Sequence, residues 1–163
     1  MMTSLGELVF ELNSTQAPIT TANFLKYINS GFYTNLVFHR IMNNFMVQGG
    51  GYTYSTTSGL TAKTATYPAI ALEPTTITGL SNTAETLAMA RGTSPNSATS
   101  EFFINTVNNP NWNGAGGYAV FGKVISGTNV LNELKNVSVV NNGSGEISRP
   151  VKPPVIQWAY QIK

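Results

Sequence analysis

Short apolar runs of strand length, each closed by Gly, Asn, Pro or Ser, limit what this chain can fold into. From Phe32 onward they recur at Leu36 to Ile41, Phe45 to Gln48, Leu87 to Ala90, Phe102 to Val107 and Tyr118 to Ile125. Their length and their bounding residues predict buried strands rather than helices. Between the first two, Asn43-Asn44 marks a tight turn, because Asn tolerates left-handed backbone. Several short strands spaced in this way predict a barrel or a sandwich.

Other stretches fill in the plan. Leu5 to Leu12 predicts an opening strand, and Pro18-Ile19-Thr20 announces a helix capped by Thr20. Ala22, Phe24, Leu25 and Ile28 form its packed face, and Asn29-Ser30-Gly31 ends it. Gly127-Thr128 opens a second helix whose apolar face is Val130, Leu131 and Leu134. Gly51 to Thr86 reads as a long surface excursion with one strand near Ala69 to Leu72, in which Glu73 accepts backbone donors. Asn141-Asn142-Gly143-Ser144-Gly145 reads as a flexible loop and Pro153 to Ile162 as the closing strand. The expectation is one mostly β domain over residues 1–163, an antiparallel sheet with a helix near each end.

Composition excludes several functions. The chain has no cysteine, which removes disulfides, thiolate metal sites and cysteine nucleophiles, and its single histidine makes a His-based metal site improbable. Nine Lys and Arg against seven acidic residues give a formal charge of +2, but the basic residues are scattered singly, so nucleic acid is not an expected partner. No apolar stretch reaches the roughly 18 residues of a membrane span. Only 10% of residues are charged, and Thr, Asn and Ser carry the polar surface. This suits a periplasmic or secreted bacterial protein whose signal has been removed, with the cytoplasm as the alternative.

The densest chemistry lies in Phe38 to Gly51, which holds the only histidine, His39, beside Arg40 and ends in Gly49-Gly50-Gly51. That triplet is no phosphate cradle, since no Lys-Ser/Thr or helix start follows it. Close backbone approach is the better reading. If the strand alternates, His39 and Arg40 point to opposite faces and His39 is a buried, hydrogen-bonded residue.

Phe38-His39-Arg40-Ile41 with Phe45-Met46-Val47-Gln48-Gly49-Gly50 resembles the signature of the cyclophilin family of peptidyl-prolyl isomerases. Leu87 to Arg91, Ser97 to Asn105 and Tyr118-Ala119-Val120-Phe121-Gly122 are similar to its bacterial branch, in the expected order. The resemblance implies a closed eight-stranded antiparallel barrel capped by two helices, an Xaa-Pro substrate and no metal or organic cofactor. It makes Arg40 and Gln48 the catalytic pair and Phe45, Met46 and Phe103 the grip on the proline ring. Ala90 and Arg91 then run beside the bound peptide, Ala90 by its backbone and Arg91 as a rim contact. The implied partners are proline-containing peptides and unfolded clients, met by a monomer.

Three positions depart from the family's common pattern. Glu101 stands where Gln is usual and is expected near the pocket, paired with Arg40 or Arg91. Tyr118 replaces the histidine of eukaryotic members and can still wall the pocket. Trp112 is expected to line it, standing for either the Trp or the Leu of the family's Trp-Leu pair. The first would favour a cyclosporin-type inhibitor, and the second would leave a weaker site. The competing readings are a cyclophilin-like module that binds proline peptides without turnover and a structural or carbohydrate-binding β domain.

Overall fold

A computed structural model describes residues 1–162 and places strands where most of the short apolar runs predict them. In chain order the first strands are β1 (Met2–Thr3), β2 (Gly6–Glu7), β3 (Val9–Leu12), β4 (Phe38–Met42), β5 (Met46–Gly49), β6 (Tyr52–Ser55) and β7 (Gly59–Ala62). Then come β8 (Thr86–Met89), β9 (Phe102–Asn105), β10 (Val120–Ser126), β11 (Val139–Asn141), β12 (Ile147–Pro150) and β13 (Ile156–Trp158). The helices are α1 (Pro18–Asn29), α2 (Thr75–Thr78) and α3 (Thr128–Lys135), with a 3-10 turn at Pro110–Trp112. No described helix is long and apolar enough to cross a membrane.

The principal sheet has six strands in the order β3-β10-β8-β9-β5-β4, all antiparallel. Its side chains alternate between two apolar groups. Ile41, Val47, Ile104 and Leu87 lie across from one another on four neighbouring strands and are buried in the main core. Phe24 and Tyr27 of α1 join that core, where Phe24 meets the Phe102 ring edge-on at 5.3 Å between centroids. The opposite face carries a smaller cluster of Met46, Phe103, Ala88 and Val120.

One continuous eight-stranded ladder is not what forms among the described residues. A separate three-stranded sheet, β13-β1-β2, accompanies the six-stranded one, and an isolated Val37–Val155 bridge, not a continuous ladder, joins β13's approach to that of β4. The expected strand over Leu5 to Leu12 is divided because Ser4 and Leu5 turn between β1 and β2, with Thr3 Oγ1 donating to Gly6 O at 2.8 Å. The excursion after Gly51 holds the unpredicted β6–β7 hairpin, and its expected strand shrinks to a single bridge, Ile70–Ala98. α2 is a third helix, of one turn. The closing strand is confined to Ile156–Trp158.

Both long helices form where predicted, but α1 is not capped by Thr20, which lies buried inside it. Glu73 does the capping from the excursion. Its carboxylate accepts from Ile19 N at 3.0 Å, Thr20 N at 2.8 Å and Thr20 Oγ1 at 2.6 Å, placing negative charge at the positive end of the helix.

Close approach explains the glycine triplet. Gly50 has φ of 90°, and a Cβ there would lie 2.7 Å from Ser100 O, while a Cβ on Gly51 would meet the Glu101 carboxylate. Gly50→Ala should therefore destabilise the protein by about 2 kcal/mol or more, from left-handed backbone strain and the clash together. Thermal unfolding followed by circular dichroism measures this, and an unchanged midpoint would contradict the packing described.

Candidate functional site

An extra residue in β4 decides which way the arginine points. Phe38 pairs with Gly49, yet Arg40 pairs with Gln48, so His39 is a bulge with no partner of its own. In unbroken alternation Arg40 would share the inward face of Phe38. The bulge turns it outward, where one row of paired residues crosses the sheet as Arg40, Gln48, Phe103, Ala88 and Val120.

A cavity of about 250 Å³ opens on this face, walled by Arg40, Met46, Gln48, Phe103, Trp112 and Tyr118, with Ala90 and Arg91 at its margin. Larger hollows exist elsewhere, such as one of about 450 Å³ beside α1, but none of the nominated residues lines it. Met46 and Phe103 are almost wholly buried and make an apolar floor. Trp112 stacks on Tyr118 with centroids 4.3 Å apart, and both meet Phe103 edge-on. Phe45 lies behind Trp112 rather than on the cavity wall, 4.6 Å from it and 5.7 Å from the Arg40 guanidinium carbon.

Buried amides hold that aromatic wall. Asn82 donates its side-chain N–H to Trp112 O at 3.1 Å and Asn113 Oδ1 at 3.1 Å, and accepts from Asn105 Nδ2 at 3.2 Å. Asn109 donates to Asn105 Oδ1 at 2.7 Å and to Phe45 O at 2.9 Å, so the loop carrying Trp112 is fastened to β9 and to the β4–β5 turn. Such a satisfied network resists movement.

The polar side of the cavity is a chain of side chains with a carboxylate at each end. Arg40 donates Nε–H to Glu146 Oε1 at 2.8 Å and Nη2–H to Glu146 Oε2 at 2.6 Å, a two-point ion pair. Its Nη1 donates to Gln48 Oε1 at 3.3 Å, and Gln48 Nε2 donates to Glu101 Oε2 at 2.8 Å. His39 Nε2 lies 3.4 Å from the same Glu101 oxygen, and its buried Nδ1 has no protein partner.

Two expectations are corrected here. Glu101 pairs with His39 and Gln48, not with Arg40 or Arg91, because Arg40 is already engaged by Glu146. His39 does not turn to the face opposite Arg40, since the bulge interrupts the alternation that would put it there. Arg91 spends its donors on backbone carbonyls: Nε to Gly117 O at 3.1 Å, Nη1 to Gly92 O at 2.9 Å, and Nη2 to Gly116 O. It lies over the Tyr118 ring, 5.0 Å from its centroid, and so ties down the loop before β10. Ala90 N–H is also committed, to Glu101 O at 2.9 Å.

Glu146 is absent from the sequence reading. It directly follows Asn141 to Gly145, read only as a flexible loop, and lies 106 residues from Arg40, with no spacing to link the two. In the structure the loop is the tip of the β11–β12 hairpin. The hydrogen bonds to Arg40 hold the Glu146 carboxyl at about 2, far below its ordinary 4.5. Burial pushes the Glu101 carboxyl up, but the hydrogen bond and charge of His39 and the bond from Gln48 outweigh it and leave the value lowered.

The chain matches the family model described as cyclophilin type peptidyl-prolyl cis-trans isomerase/CLD over residues 1–160. It is 40% identical to a peptidyl-prolyl cis-trans isomerase of Acinetobacter baylyi, across 100% of this chain and 84% of the relative. It is also 40% identical to peptidyl-prolyl cis-trans isomerase B of Escherichia coli, over 86% of this chain and 85% of the relative. A crystal structure of a Cryptosporidium parvum cyclophilin type isomerase, in the presence of the dipeptide Ala-Pro, superimposes with a TM-score of 0.78 at 30% identity, covering 100% of this chain and 98% of the other.

The Arg40–Glu146 pair makes stability depend on acid. A carboxyl lowered by folding stabilises the protein fully above its unfolded value, near 4.5, and that contribution disappears as pH falls through about 2. The midpoint of thermal unfolding should therefore drop between about pH 5 and pH 2, and Glu146→Gln should flatten part of that drop. An identical pH profile in the variant would show the pair to be energetically silent.

Proposed function

Because the chain belongs to the cyclophilin-type peptidyl-prolyl cis-trans isomerase family, an enzyme that rotates Xaa-Pro peptide bonds, we propose that Arg40 supplies the interaction that favours the rotating state. The observation that carries this reading is the cavity that joins an aromatic and thioether floor to the Arg40 guanidinium, while the Arg91 donors are engaged by backbone carbonyls. Amide resonance opposes rotation by about 18–20 kcal/mol, and twisting the bond returns a lone pair to the prolyl nitrogen. An N–H donor facing that nitrogen is worth more in the twisted state than in either planar one, which is the condition for catalysis. No bond breaks, so no nucleophile or proton transfer is required.

Met46, Phe103, Trp112 and Tyr118 are the surfaces for the proline ring, with Phe45 supporting Trp112 from behind. Gln48 orients Arg40 and can meet the substrate backbone. Ala90 is left with its carbonyl to offer a peptide lying along the cavity margin. Glu101 acts on the substrate through Gln48, and Arg91 through the loop it fastens. The Ala-Pro dipeptide of the Cryptosporidium parvum structure supports a proline-containing peptide as ligand here.

The finer architecture belongs to the same reading. Asn35 N–H donates to Ile156 O at 2.8 Å, Ile156 N–H to Leu36 O at 2.7 Å and Phe38 N–H to Pro154 O at 2.9 Å. These bonds support a barrel of eight strands in which β13 and β1 fill the gap between β4 and a β2–β3 edge. The proposed clients are exposed or unfolded Xaa-Pro segments, met by a monomer. The cysteine-free, weakly charged composition supports a place in the periplasm or outside the cell.

A protease-coupled or NMR exchange assay on short Xaa-Pro peptides tests the mechanism. Arg40→Ala should lower kcat/KM by about a hundredfold or more, the effect of losing one transition-state donor in a partly dry site. A full-rate variant would remove Arg40 from the mechanism. Trp112 should report binding directly, and unchanged tryptophan emission on saturation with a proline peptide would exclude it from the ligand surface.

A further inference from the structure

Rotation of an amide calls for no carboxylate, yet one takes hold of Arg40 at two points. The guanidinium has five N–H donors. Glu146 occupies the Nε–H and one Nη2–H, at 2.8 and 2.6 Å, whereas Gln48 holds Nη1 only at 3.3 Å. Glu146 does not line the cavity that Arg40 lines. The guanidinium thus has a partner outside the cavity lining on its Nε–Nη2 edge and a residue of that lining, Gln48, at Nη1.

The carboxylate is presented by a braced support. Asn142 N–H donates to Glu146 O at 2.8 Å, closing the hairpin tip. Asn141 Oδ1 accepts from Gly143 N at 2.7 Å and Gly145 N at 3.2 Å, and Asn142 Oδ1 accepts from Ser144 N at 2.9 Å. Two asparagine side chains thus hold the run of small residues that precedes Glu146. On the other side, β12 runs on through Ser148, which is 1% exposed, and Pro150, also buried. The support is anchored at both ends.

We propose that Glu146 is a positioning residue for the isomerisation: it fixes the plane of the Arg40 guanidinium so that Nη1 faces the bound prolyl nitrogen. The inference rests on the reading of Arg40 as the group that acts on substrate. An arginine side chain free to sample several rotamers would spend only part of its time in that orientation. A two-point ion pair restricts it to one, at the cost of some charge neutralisation. Because the contact with the prolyl nitrogen strengthens as the bond twists, losing the orientation slows turnover more than it weakens binding.

The test is a double-mutant cycle on the full chain, with kcat and KM separated by NMR exchange on a short Xaa-Pro peptide. Glu146→Ala should lower kcat by about ten- to a hundredfold with KM little changed, the range expected when a reacting group is misplaced by around an ångström. Glu146→Asp should recover part of the loss. In an Arg40→Ala background, Glu146→Ala should cost nothing further, because its effect passes through the arginine. The Arg40 Nε–H resonance, slowed in exchange by the ion pair, should broaden or vanish in Glu146→Ala. Glu146→Gln, equal in size, carries the same comparison if the alanine variant does not fold.

Three outcomes would overturn the inference. A Glu146→Ala enzyme with wild-type or higher kcat would make the pair inert or a brake. An equal loss with and without Arg40 would place the effect in the hairpin's folding rather than in the arginine. If Arg40→Ala keeps full rate, the reading of Arg40 falls first and takes this one with it; a slow Arg40→Ala beside a fast Glu146→Ala removes the positioning role alone.

Discussion

The single extra residue at His39 is what the site depends on. A strand presents alternate side chains to opposite faces, so a regular β4 continuing from Phe38 would send Arg40 into the apolar core. A buried, unpaired guanidinium there would be strongly destabilising. The bulge instead keeps Phe38 inside, turns Arg40 out and brings it opposite Gln48, while Ile41 returns to the core. One insertion thereby satisfies both the packing of the sheet and the placement of its charge. It also leaves His39 on the side where Glu101 can reach it.

Around that point the structure divides rigidity between two materials. The floor of the cavity is apolar and inherits its order from the sheet, since Met46 and Phe103 are fixed by strand pairing and pack with Ala88 and Val120. The wall has no strand to hold it. Trp112 lies on a three-residue 3-10 turn and Tyr118 on the approach to β10, and both are steadied by amide side chains and by Arg91. A chain with few charges can build a firm polar scaffold in this way, because amides both donate and accept and carry no ionic desolvation penalty.

What the sequence makes legible follows from the range of each interaction. The strands β4, β5, β8, β9 and β10 and the apolar faces of α1 and α3 are local patterns, readable because their causes lie within a few residues, whereas the β6–β7 and β11–β12 hairpins lie in Gly-, Thr- and Asn-rich stretches without clear apolar periodicity. Arg40, Gln48, Met46, Phe103, Trp112 and Tyr118, which come from separate motifs, line one cavity. The bulge is not visible as a pattern, because it is defined only by the partner strand, so alternation alone gives the wrong face for His39. Nothing in the sequence pairs Asn82 with Asn105, yet each is buried at 0–1% exposure in the amide network. Glu146 and Glu73 are isolated carboxylates in loops, and only tertiary contact gives either of them a partner.

The cap on α1 ties the helix to a segment far along the chain. The helix begins without a side-chain cap of its own, and the acceptor for its first N–H groups arrives from Glu73, 53 residues beyond Thr20. A helix of 12 residues is marginal alone in water. Its first turn is therefore held by tertiary contact, and is only as firm as the excursion that carries Glu73. Local opening of that segment would leave the start of α1 without its acceptor, so the stabilities of the helix start and of the excursion are one quantity.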